Sequence, residues 1–71
     1  MIIDLDQLHD LITERTYEIE EAVAGTGYLV RTVVGVGTFL LDHDGDINLL
    51  TSKQQATFER FLKPLLDEAS R

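Results

Sequence analysis

Residues 25–50 read GTGYLVRTVVGVGTFLLDHDGDINLL, and the interpretation of the rest of the chain depends on them. The stretch is apolar, rich in β-branched residues, and interrupted by glycines and by one Asp-Gly pair. β-Branched residues are enriched in strands, and Asp-Gly is a strong signal for the tight turn of a hairpin. The stretch therefore predicts a small antiparallel sheet, with a helix before it and a helix after it.

The predicted sheet has three strands joined by two turns. The first strand covers residues 28–34, and residues 35–36 then give a two-residue turn with glycine first, which is typical of type II′. At the second turn, a two-residue loop at 44–45 competes with a three-residue loop at 43–45. The three-residue loop is preferred, because it keeps apolar side chains opposite each other on one face. That inner face consists of Tyr28, Val30, Thr32, Val34, Phe39, Leu41, Ile47 and Leu49.

The first helix is predicted to begin at a cap formed by Asp4 or Asp6 and to end at Gly25, because glycine readily adopts the left-handed conformation that ends a helix. Its apolar residues recur at three- and four-residue spacing, so one face is expected to be buried. The opposite face is acidic and carries Tyr17, which is either a lone exposed aromatic or an interface contact. The apolar face consists of Leu5, Leu8, Leu11, Ile12, Ile19, Ala22 and Val23.

Arg15 is the exception on this helix, because its spacing places it on the apolar face. We expect its aliphatic stem to lie along the margin of the core while its guanidinium reaches water or Glu18. The alternative is a buried role in binding an anion.

The last helix is predicted to begin at Thr51 or Ser52, where the following glutamines complete a capping box in either of two phases. It carries the strongest amphipathic pattern in the chain, with Phe58, Phe61, Leu62, Leu65, Leu66 and Ala69 on one face. Pro64 lies within that pattern and removes one backbone hydrogen bond to the carbonyl of Arg60. We therefore expect the helix to bend there or to break into two pieces.

Together these elements predict one α+β domain over residues 1–71, with the order helix, three-stranded antiparallel meander, helix. A chain of 71 residues has room for one modest core. We expect both helices to cover the inner face of the sheet. The alternative arrangement places one helix on each face.

The bulk composition excludes several classes of function. Thirteen acidic and six basic residues give a net charge of −7, which opposes binding to nucleic acid and to anionic lipid. The chain has no cysteine, no basic and apolar leader, and no apolar run of the ~20 residues that span a bilayer. We expect a soluble, cytoplasmic protein whose partner is neither nucleic acid nor a membrane.

The predicted turn at residues 42–48 contains the only arrangement that resembles a metal site. Asp42, Asp44 and Asp46 alternate there, and carboxylate oxygens suit a hard cation such as Ca²⁺. Neither alignment with a calcium-binding loop supplies the required glycine and the last ligand, so a charged hairpin tip is the preferred interpretation. A small ligand-binding or Ca²⁺-binding protein that uses Asp42–Asn48 is the alternative function.

No motif in the chain predicts catalysis or a cofactor. His9 and His43 lie on separate predicted elements, and no histidine accompanies Ser52 as a general base would. An enzyme is therefore not expected.

The second face of the predicted sheet gives the leading hypothesis for function. Leu29, Val33, Leu40 and Leu50 would form an exposed apolar patch there, and such patches mark interaction sites. The sequence therefore predicts a non-enzymatic protein-protein interaction module, or an accessory subunit of a larger assembly. A second copy of the chain is the expected partner, in a homodimer.

Overall fold

The computed structural model describes residues 3–69, and over that range it contains helices and loops but no strand. The predicted α+β fold with a three-stranded meander is therefore wrong. The elements are α1 (Leu5–Thr13), α2 (Thr16–Val23), α3 (Val30–Asp42), a 3₁₀ turn (Ile47–Leu49), and α4 (Ser52–Thr57), which continues through a π-helical segment (Phe58–Leu62) into α5 (Lys63–Ala69). None of the helices in this range is long and apolar enough to cross a membrane.

Helix α3 occupies half of residues 25–50, the stretch that was predicted to form a sheet. Its buried residues are Val33, Val36, Gly37 and Leu40, which follow the i, i+3, i+4, i+7 spacing of one helical face. β-Branched residues cost a helix only a few tenths of a kcal/mol each, and packing against neighbouring helices overrides so weak a preference. The residues predicted to form the first hairpin turn lie inside α3.

The Asp-Gly pair ends a helix instead of closing a hairpin. Asp44 and Gly45 have positive φ angles of 56° and 76°. The amide of Gly45 donates a hydrogen bond to the carbonyl of Leu40 at 2.7 Å, which closes the end of α3. Asp46 then caps the 3₁₀ turn by accepting from the amide of Asn48 at 3.0 Å. The prediction that the chain turns at residues 43–45 is correct. The predicted kind of turn, a hairpin between two strands, is wrong, because the turn follows a helix.

The predicted first helix is divided into α1 and α2, which meet at residues 14–15. The Asp4 cap is confirmed, because its carboxylate accepts from the amides of Asp6 and Gln7 at 3.0 and 3.2 Å. Gly25 follows the end of α2 with a φ angle of 76°, as predicted. Signals confined to one turn of chain were therefore interpreted correctly, whereas the interruption between them was not.

The C-terminal helical run begins with the Thr51 phase of the predicted capping box. The Thr51 hydroxyl accepts from the Gln54 amide at 3.2 Å, and the Gln54 side chain accepts from the Thr51 amide at 2.9 Å. The run continues past Pro64 without a break. Just before the proline, the amide of Lys63 donates to the carbonyl of Phe58, five residues back. This wider turn accommodates a ring that would clash with the i−4 carbonyl in a regular α-helix.

Helices α1, α2, α3 and α5 and the π-helical segment contribute to one hydrophobic core. Its buried members are Leu8, Leu11, Ile12, Ile19, Val23, Val33, Val36, Leu40, Leu50, Phe58, Phe61, Leu62 and Leu66. Helices α1 and α3 approach closely at Gly37, where an added Cβ would lie 2.8 Å from Cγ2 of Ile12. The absence of a side chain at Gly37 is therefore a packing requirement.

We expect Thr51→Ala to lower the free energy of unfolding by about 1 kcal/mol, because it removes the acceptor for the Gln54 amide. Ser52→Ala is the matched control, since Ser52 is exposed and is the cap of the other phase. Urea denaturation measures the free energy of unfolding of both variants, which can be compared as long as their m-values are the same. A larger loss for Ser52→Ala would show that the helix begins in the other phase.

Candidate functional site

A groove of about 600 Å³ lies between α3 and α4. Helix α3 contributes one wall, including Arg31, Gly35 and Phe39, and α4 contributes the other, including Lys53 and Ala56. All of these except Phe39 are exposed, so the groove opens to solvent. It is therefore a surface that a partner can enter without unfolding the core.

The groove owes its space to short side chains. A Cβ built on Gly35 would meet nothing within 4 Å, in contrast to Gly37 two residues later. A glycine inside a helix costs about 1 kcal/mol relative to alanine. Packing within the described chain does not require Gly35, although it does require Gly37. The missing side chain at Gly35 instead leaves open space in the groove.

Aromatic rings stand at both ends of the groove. At one end, the ring of Tyr28 packs against Phe61 with centroids 4.8 Å apart, and the guanidinium of Arg60 lies 5.4 Å from the Tyr28 centroid. At the other end, Phe39 stacks on His43 with centroids 4.1 Å apart. Aromatic groups bury large apolar areas and are enriched at binding surfaces. The groove therefore offers apolar contacts along its whole length.

The rim of the groove is basic. Arg31 and Lys53 line it, and among the described residues that line it none is acidic. Neither side chain forms an ion pair with a carboxylate in the described part of the chain. On a protein with a net charge of −7, this is a local exception that favours an anionic partner.

An acidic surface lies on α2 and at Glu14, two residues before it. Tyr17 is 56% exposed, and the carboxylates of Glu14, Glu20 and Glu21 surround it at helical spacing. Within residues 3–69 these three carboxylates form no ion pair. We call Glu14, Tyr17, Glu20 and Glu21 the Tyr17 face.

Arg15 lies at the junction of α1 and α2 and contacts other carboxylates. Its Nε donates to Asp10 at 2.7 Å and its Nη1 donates to Glu18 at 3.0 Å, so the predicted contact with Glu18 is confirmed. Burial alone would lower the pKa of Arg15, but the bonds to both carboxylates and their charges raise it above its ordinary value. Nη2 is buried and has no hydrogen-bond partner among residues 3–69. Two carboxylates already compensate this guanidinium, so an added anion gains little there.

The predicted interface residues do not form a patch. Val33, Leu40 and Leu50 are buried in the core, and Leu29 alone of the four is exposed, at 51%. The sheet face that was expected to unite them does not exist, because α3 turns Val33 and Leu40 toward α1 and the C-terminal run. Any self-association must therefore use other residues.

The three aspartates of the predicted turn also have a different setting. Asp42 is the last residue of α3, Asp44 lies in the left-handed turn, and Asp46 caps the 3₁₀ turn. Across residues 3–69, no group of three or more His, Cys, Asp or Glu side chains is arranged to hold a metal ion. The geometry therefore gives the calcium-binding alternative no support.

Sequence reasoning missed the groove, although a signal for its α3 side was present. Tyr28, Thr32, Gly35 and Phe39 are spaced by four, three and four residues, which places them on one face of a helix. The strand interpretation hid this period. The α4 side gave no comparable signal, because nothing in the sequence shows that α4 packs beside α3.

Comparison with known proteins adds no identification to this geometry. No protein-family model, no curated protein and no solved structure matches the chain.

Proposed function

We propose that this protein is a non-enzymatic interaction module that binds an acidic amphipathic helix in the groove between α3 and α4. One observation carries the proposal: an open apolar groove with aromatic ends bears unpaired cations on its rim, in a chain whose net charge is −7. The cytoplasmic location stays a prediction.

The shape of the groove favours a helix over a small molecule. From Arg31 to Phe39, the α3 wall is about 12 Å long at the α-helical rise, which corresponds to about two turns of a docked helix. Helix-in-groove recognition uses apolar anchors at i, i+3 or i+4, and i+7, which need that length. Small-molecule sites bury about 70–90% of their ligand, whereas most walls of this groove are exposed.

The charges specify the sign of the partner. Complementary charge raises the association rate and selects among partners more than it adds affinity. Arg31 and Lys53 would attract carboxylates on either side of the apolar anchors, while the net negative charge of the rest of the chain opposes binding of the same partner elsewhere. Acidic helices are therefore directed to the groove.

The chemistry of the groove supports binding without catalysis. Among residues 3–69, its titratable lining groups are Tyr28, Arg31 and Lys53, and none of the lining residues is a carboxylate or an imidazole that could act as a base. The hydroxyl of Thr57 donates to the carbonyl of Lys53 at 3.0 Å and so is not directed at a bound group.

The test uses a synthetic helical peptide with leucine at i, i+3 and i+7 and glutamate on its other face, titrated by calorimetry. We expect binding that weakens about tenfold or more in Arg31→Glu/Lys53→Glu, because the attraction becomes repulsion. Lys63→Glu is the matched control, since it makes the same charge change on an exposed residue outside the groove. The same peptide with lysine in place of glutamate should not bind.

A second pair of variants tests the location without changing charge. Gly35→Leu should place its side chain in the groove and reduce peptide binding, because a Cβ at Gly35 has free space. Thr38→Leu puts the same side chain on an exposed position of α3 that does not line the groove. Equal binding by the two variants, or binding unaffected by reversal of the rim charges, would contradict the proposal.

A further inference from the structure

We infer that the occupant of the groove is a second copy of this chain, which inserts Tyr17 and presents the acidic residues of its Tyr17 face to the basic rim. The inference rests on the proposed function, because it names the partner that the groove receives. It assigns the homodimer predicted from the sequence to a different surface.

The two surfaces are complementary in length and in charge, and Tyr17 supplies a single aromatic anchor in place of the several apolar anchors of the synthetic peptide. Helix α2 has 8 residues and is therefore about 12 Å long, which is close to the length of the α3 wall from Arg31 to Phe39. Tyr17 is the most exposed of the large apolar side chains described. Its ring suits the space above Gly35, and the polar groups of Thr32 and Gln54 in the groove are suitable partners for its hydroxyl.

On both surfaces, the charged side chains lie at helix ends where the helix dipole disfavours a charge of their sign. Arg31 and Lys53 occupy the first turns of α3 and α4, where the helix dipole favours anions. Glu20 and Glu21 occupy the last turn of α2, where it favours cations. Within one copy these four placements are unfavourable. Contact between the groove and the Tyr17 face of another copy compensates all of them.

A twofold pair closes this contact. Each copy carries one groove and one Tyr17 face, so two copies related by a twofold axis form the same contact twice. No surface of this kind is then left for a third copy. This arrangement gives a closed dimer, whereas any other rotation between copies would leave a groove and a Tyr17 face free and build larger assemblies.

Charge reversal on each surface provides the test, with mass measured by sedimentation equilibrium up to about 0.5 mM protein. The wild type should be dimeric. The groove-reversed variant (Arg31→Glu/Lys53→Glu) and the face-reversed variant (Glu20→Lys/Glu21→Lys) should each be monomeric, because each sets like charges against each other. Both reversals agree with the dipoles of their helices, so each variant should stay folded as a monomer, and circular dichroism at 222 nm checks that unfolding does not explain a loss of dimer.

An equimolar mixture of the two variants should again form dimers. The negative groove of one variant receives the positive face of the other, and the unmodified groove and face complete the second contact. Salt dependence alone is a weaker test, because salt also screens the repulsion between two chains of charge −7. Tyr17→Ser should raise the dimer Kd about tenfold, whereas Tyr17→Phe should preserve dimerisation.

Three results would overturn the inference: a wild type that stays monomeric, variants that both remain dimeric, or a mixture that stays monomeric although each variant is folded. The acidic peptide separates this failure from that of the proposed function. If the wild type is monomeric but binds the peptide in the groove, only the second copy is the wrong partner. If the peptide also fails to bind, the groove itself is not the site.

Discussion

Leu40→Glu is expected to unfold the protein at room temperature. Leu40 is 0% exposed on α3, so the new carboxylate would either be buried without a partner or force α3 away from the core. Loss of a buried leucine alone costs about 2–5 kcal/mol, and burial of a charge adds to that cost. A chain of 71 residues has a total stability of about 4–10 kcal/mol, so little or no folded protein should remain.

Leu29→Glu is the matched control, because Leu29 is half exposed and precedes α3, where an acidic residue is well tolerated. Its free energy of unfolding should change by about 0.5 kcal/mol or less. Circular dichroism at 222 nm separates the two variants. The sheet interpretation leads to the opposite expectation for Leu40→Glu, namely a folded monomer, and that result would contradict the position of α3.

The same substitution at two neighbouring glycines should have effects of opposite sign. Gly37→Leu forces a side chain into the contact between α1 and α3, where the first carbon already lies 2.8 Å from Cγ2 of Ile12. We expect a loss of about 3 kcal/mol or more. Gly35→Leu has free space at its Cβ and gains helix propensity, so it should raise stability by about 0.5–1 kcal/mol.

Urea denaturation of both leucine variants measures these changes, and an added Ile12→Ala substitution locates their cause. That substitution removes the methyl group nearest the new side chain at Gly37. The stability lost in the double variant should therefore be smaller than the sum of the losses in the two single variants. Strict additivity would mean that Gly37→Leu acts through the backbone and not through Ile12. A loss of stability in Gly35→Leu would show that the groove is narrower than described.

Several helix ends could be predicted because their signals are local. A carboxylate at Asp4 and the Thr51 and Gln54 pair each satisfy amides within three residues, and Gly25 adopts its left-handed conformation without help from distant residues. No knowledge of the tertiary structure is needed for such interactions. The interruption at Arg15 depends instead on a balance between helix continuation and ion pairs with two carboxylates, which the apolar pattern does not show.

The residues of α3 could not be assigned from their own pattern. Val33, Gly37 and Leu40 become buried only because α1, α2 and the C-terminal run surround them, and those contacts are not readable from the stretch itself. Its β-branched residues fit a strand, and its glycines fit a turn, as well as both fit a helix. The groove was harder still to predict, since it depends on a missing side chain at Gly35 and on which helix lies beside α3.

The π-helical segment at Phe58–Leu62 has a consequence for the angular phase of the C-terminal run. A regular α-helix advances by about 100° per residue, and a wider turn changes the direction in which every later side chain points. Residues after the segment, such as the buried Leu66, therefore point in directions other than those that an uninterrupted α-helix would give them. The segment therefore rotates the side chains of α5 relative to those of α4 about the axis of the run, without breaking the run.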